Sequence, residues 1–156
     1  MEGGSSSTGS SSRPNRCSSR TRRSGSAARA GRHCVAPLDL ADAWYPIGSN
    51  NKHLLDTLPR YRAGIDRLRR FTTEAGRDPA SVGLTYRVKR YGEAVPSKAS
   101  DGERRLFSGT TSDIVDDLRA LHALGVSAVD IDFERSDPAA SIAEMRRFKE
   151  EVLSRL

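Results

Sequence analysis

The chain has 156 residues and a formal net charge of +6, enough for one domain with a real core but not for several. Residues 1–36 hold ten Ser, seven Arg, one acid (Glu2) and no aromatic residue; setting these aside leaves 19 Lys+Arg against 19 Asp+Glu in residues 37–156. The attraction to nucleic acid or anionic membrane that a basic chain implies therefore applies to the tail alone.

No apolar run is long enough for a transmembrane helix or a signal-peptide core, so no membrane contact is expected. The two cysteines, Cys17 and Cys34, form no CxxC pair and join no metal-ligand cluster. That pattern points to a reducing cytoplasm. Residues 1–36 read as a disordered Gly/Ser/Arg-rich tail, because they cannot bury enough apolar surface to offset their ordering entropy. Arg20, Arg22 and Arg23 offer an alternative reading, an arm for RNA or an acidic partner. Nucleic acid is disfavoured, since no aromatic residue is interleaved to stack on bases. Residues 37–156 are expected to form the folded domain.

In chain order, Leu40 and Ala41 read as a helix end and Ala43–Tyr45 as a short strand stopped by Pro46 and Gly48. Residues 51–76 read as mostly helix, with Leu58, Tyr61, Ile65 and Leu68 on one face and Gly76 as the stop. His53, in the turn after the aromatic strand, reads as a surface residue. Asp78-Pro79 predicts a turn, and residues 82–91 a strand with Leu84, Tyr86 and Val88 on one face and Thr85, Arg87 and Lys89 on the other. Residues 92–105 read as a mobile polar loop. Thr110 is placed to cap a helix, with Asp113 completing a capping box and Ile114, Leu118 and Leu121 forming the apolar stripe. Asp113, Asp116 and Asp117 put negative charge in its first turns. Gly125 predicts the C-cap and residues 126–133 a further strand. The last helix is expected over residues 136–156, started by Asp137-Pro138, with Ile142, Met145, Phe148, Val152 and Leu156 inward.

Three blocks carry a family resemblance: LADAWYP (Leu40–Pro46), EAGRDPASVGL (Glu74–Leu84) and FSGTTSDIVDDLRALHALGVSAVDIDF (Phe107–Phe133). In order, spacing and turn residues they resemble the C-terminal part of the luciferase-like monooxygenase family, over about residues 40–156. Thr111 stands where the family usually has Pro. The resemblance implies an α/β fold, the C-terminal part of a TIM (β/α)8 barrel with about three parallel strands and their helices. It also implies an oxidoreductase that uses FMN or the deazaflavin coenzyme F-420 on a small-molecule substrate at the barrel's C-terminal face. A whole barrel has eight such strands. The family's Gly-Gly phosphate-binding turn is replaced here by Gly31–Ala36, so the chain is expected to be inactive alone and to bind no cofactor tightly. Its sheet edges are expected to favour self-association.

Trp44 and Tyr45, at a strand's carboxyl end, are the candidate cofactor- or substrate-binding residues. No catalytic acid or base is assigned. Asp130, Asp132 and Glu134 alternate onto one strand face, a pattern open to a hard cation. The preferred reading is that Arg87 and Lys89 of a parallel neighbour strand lie beside Asp130 and Asp132, with no metal.

Overall fold

The computed structural model describes residues 41–156, all within one compact unit. The tail and Leu40 lie outside the described residues. Among these residues the order is strand β1 (Ala43–Trp44), helix α1 (Leu58–Glu74), strand β2 (Gly83–Val88), helix α2 (Thr111–Ala123), strand β3 (Val126–Ile131) and helix α3 (Pro138–Glu151). The strands form one parallel sheet in the order β1-β2-β3. A helix lies between each pair of sequential parallel strands, as such a connection requires. Over the described residues the chain is thus an α/β protein of three parallel strands and three α-helices.

Local chemistry sets the helix ends. The start of α1 comes at Leu58 rather than near residue 51, with Pro59 in its first turn, where a missing N–H costs nothing. Gly76 ends it at φ +74. The α2 capping box is complete: the Thr110 hydroxyl accepts from the Asp113 N–H, and the Asp113 carboxylate accepts from the Thr110 N–H at 2.8 Å. Gly125 takes φ +90 on the way into β3. Asp137 caps α3 by accepting from Ala140 N at 3.0 Å.

One face of the sheet is covered by helices. Leu84, Tyr86 and Val88 are buried there with Tyr61, Ile65, Ile114 and Leu121, and Val129, Ile131 and Phe133 pack partly buried against them. A register shift between Leu84 and Thr85 puts Ser127 out of alternation. This bulge lets Val126 share the buried face with Val129 although they are three residues apart. Four aromatic rings run through the core: Trp44 stacks on Tyr61 at 5.4 Å, Tyr61 meets Tyr86 edge-on at 5.0 Å, and Tyr86 stacks on Phe107 at 5.9 Å. A second cluster joins Tyr91, Phe133 and Phe148.

The last helix corrects its expected inward stripe. Phe148 and Val152 are buried, whereas Ile142, Met145 and Leu156 are about half exposed. The α-helix ends at Glu151 and a 3-10 turn, Leu153–Arg155, follows. Past that change of pitch, the 3.6-residue spacing no longer projects Leu156 inward.

Candidate functional site

Two features lie where the strands end. The first is the sheet face that, among the described residues, carries no helix. Here Arg87 pairs in register with Asp130 across β2 and β3, and Arg87 Nε stands 3.8 Å from Asp130 Oδ2. The adjacency, the parallel direction and the shared face all match the sequence expectation. Lys89 does not reach Asp132. Strand β2 ends at Val88, and the Asp132 carboxylate accepts instead from Glu134 N at 2.9 Å. Among the described residues no group of three or more His, Cys, Asp or Glu side chains could hold a metal ion.

The two candidate aromatics separate. Trp44 alternates to the helix side, against Tyr61 and Gly64. Tyr45 turns to the other face, half exposed, and its hydroxyl donates to the same Asp130 carboxylate that faces Arg87. That bond raises the Tyr45 phenol above its ordinary pKa, with burial adding to the effect and Arg87 opposing it. Three side chains, from β2, β3 and the residue just past β1, thus converge: a guanidinium, a carboxylate and a phenol. His53 is partly buried in a turn, where its backbone N–H donates to Asn50 O at 3.0 Å.

The second feature is a cleft of about 550 Å³, within the range of small-molecule sites. Its walls are the turn after β1 (Gly48, Ser49, Asn51, Leu54), residues 86–90 of β2 and its extension, and parts of the loop from Ala94 to Phe107. It lies at the carboxyl end of β2, where α/β folds place their ligands. Arg87 belongs to both features. The lining of the cleft includes the apolar Val88, Val95, Pro96, Leu106 and Phe107 and the cationic Arg87, Lys89, Arg90 and Arg105.

The loop that forms one wall, expected to be mobile, is tied down at many points. Asp56 accepts from Arg60 Nη1 at 2.7 Å and lies 3.0 Å from Arg105 Nε. Arg60 also pairs with Asp101 at 2.8 Å and donates to Ser100 Oγ at 2.8 Å. Farther along, the buried Asp117 carboxylate receives Arg104 and, at 2.6 Å, the backbone N–H of Phe107. Phe107 sits at φ +62, a left-handed conformation that a bulky residue seldom adopts. Burial pushes the Asp117 carboxyl above its ordinary pKa, against the pull of Arg104 and the Phe107 N–H.

Sequence reasoning did not single out Arg104, Arg105, Asp56 or Asp117 for these roles. The available signal was an Arg pair running straight into Leu106-Phe107, inside a stretch otherwise read as solvated loop. No protein-family model matches the chain, and no curated protein or solved structure matches it significantly. Among the described residues no helix is long and apolar enough to cross a membrane.

Proposed function

We propose that this chain is the C-terminal part of a luciferase-like (β/α) barrel, and that its cleft is a portion of the pocket in which such an oxidoreductase holds FMN or coenzyme F-420. The observation that carries the reading is the position of the cleft at the carboxyl end of β2, in a parallel sheet whose strands alternate with helices. Both cofactors combine a flat ring system with phosphate, and the cleft lining holds both apolar and cationic side chains. Phe107 and Val88 are suited to the ring, Arg87 and Arg105 to the acidic part. When bound, the cofactor supplies hydride transfer or oxygen activation; the chain's own residues bind and orient. With three strands among the described residues, against the eight that a barrel needs, the pocket is incomplete and the chain inactive alone.

Fluorescence titration of FMN and of F-420 with the purified chain tests this. The expected result is weak, saturable binding of one of them, with no turnover of the reduced cofactor above its rate in free solution. If neither cofactor binds saturably, the pocket reading fails; if reduced cofactor turns over faster than when free, the claim of inactivity does.

A further inference from the structure

Among the described residues, two buried side-chain polar atoms lack a hydrogen bond: Arg87 Nε and Arg105 Nε. Both side chains line the same cleft. Arg105 Nε has the Asp56 carboxylate 3.0 Å away, but not aligned as a hydrogen bond, and that carboxylate is shared with Arg60. Arg87 Nε has the Asp130 carboxylate at 3.8 Å, too far for a hydrogen bond, although the Tyr45 hydroxyl also lies beside the Arg87 side chain. Buried guanidinium N–H groups without acceptors are uncommon, and an unseen ion is one of the few physical reasons for them. Lys89 and Arg90 add exposed positive charge to the same lining, and neither makes an ion pair among the described residues. The one carboxylate in the lining, Asp56, is already engaged.

We infer that the cleft takes an anionic small molecule, its phosphate or carboxylate group seated between Arg87 and Arg105 with Lys89 and Arg90 in the same lining. The inference rests on reading the cleft as a ligand pocket, but not on the identity of any cofactor. An oxyanion supplies an acceptor for each of the two Nε–H groups, and arginine side chains match the planar geometry of such oxyanions. The apolar residues in the same lining, Val95, Leu106 and Phe107, suit a ligand with an uncharged body beside its acidic group.

The test follows the arginine Nε–H and backbone amide NMR signals of the 156-residue chain. Inorganic phosphate and, separately, acetate are titrated at an ionic strength held constant with chloride. Saturating shifts at Arg87 and Arg105 are expected; the stronger of the two titrations tells a phosphate-bearing from a carboxylate-bearing ligand. Arg87→Gln should weaken binding about tenfold, the size of a lost charge-assisted hydrogen bond. Arg67→Gln, on the exposed side of α1, should leave it unchanged. Shifts that stay linear in both titrations, or binding untouched by Arg87→Gln, overturn the proposal. Should Arg87→Gln unfold, exposed Lys89→Gln decides, with weaker binding supporting the site and unchanged binding overturning it. Saturable phosphate or acetate binding beside a failed cofactor titration sinks the oxidoreductase reading and leaves this site standing; the reverse sinks this site alone.

Discussion

Arg87 and Asp130 face each other in register across β2 and β3, and the Tyr45 hydroxyl reaches the same carboxylate from the end of β1. Their side chains are 36% and 51% exposed, so water screens the pair. A double-mutant cycle over Arg87→Ala and Asp130→Ala should return a coupling of about 0.5 kcal/mol that fades as salt is added. A coupling that persists in high salt would mean the face is covered in solution.

The same cluster makes a prediction about pH. Hydrogen bonding to Asp130 is the largest cause of the raised Tyr45 pKa, and Arg87 acts against it. In Asp130→Asn the phenol should titrate closer to its ordinary value, about 10. In Arg87→Gln it should move further up. Ultraviolet absorbance or tyrosine NMR titration reads both, and a Tyr45 signal unmoved by Asp130→Asn would show that the bond is not kept in solution.

Asp117 holds the left-handed Phe107 by its N–H while pairing with Arg104. A bulky residue at positive φ costs on the order of 1–3 kcal/mol unless its surroundings impose it. Asp117→Ala removes the acceptor and strands a buried N–H, so a loss of about 3 kcal/mol in denaturant unfolding is expected. Asp117→Asn keeps one acceptor and should lose less. Equal losses in the two variants would mean that the carboxylate's volume matters and its hydrogen bonds do not.

The capping box of α2 should show in acid. Hydrogen bonds from the Thr110 hydroxyl and N–H hold the Asp113 carboxyl below its ordinary pKa. A depressed folded-state pKa contributes stability that is present above the unfolded value, about 3.9, and lost as pH falls through the folded one. The stability gap between the parent chain and Asp113→Asn should therefore be constant near neutrality and close below about pH 4. Thr110→Ala should cost about 1 kcal/mol near neutrality. A gap that stays open in strong acid would assign the effect to shape rather than charge.

The α2–β3 unit was legible in the sequence because its signals are local: a cap, an apolar stripe and a Gly stop within sixteen residues, Thr110 to Gly125. The Arg87–Asp130 face was legible for a related reason, since strand alternation and parallel pairing fix faces without knowledge of distance. The network of Asp56, Arg60, Asp101 and Arg105 was not. It links residues 45 positions or more apart in two of its pairs, Asp56–Asp101 through Arg60 and Asp56–Arg105, and no periodicity encodes such contacts. The exposed Ile142 and Met145 mislead for the opposite reason. Their spacing marks an apolar face, but spacing does not say that another element covers it.

Gly48 carries the last prediction. A Cβ built there would lie 1.9 Å from the Tyr86 hydroxyl oxygen and 2.6 Å from its ring carbon Cζ. Tyr86 cannot swing aside without loss. Its hydroxyl donates to Leu55 O at 2.8 Å, and its ring lies between Tyr61 and Phe107 in the aromatic row. Burial drives the Tyr86 phenol well above its ordinary pKa, so it remains a neutral donor across the physiological range. The backbone cannot yield freely either, because Gly48 N donates to Arg87 O and Gly48 O accepts from Leu55 N. Gly48→Ala should therefore cost about 1–3 kcal/mol, the usual range for overpacking a tight core. Truncating the obstructing group should return part of that loss: Gly48→Ala combined with Tyr86→Phe should be less destabilised than the two single losses added together. Denaturant melts of the four proteins measure this, and strict additivity would show that the hydroxyl is not what Gly48 accommodates.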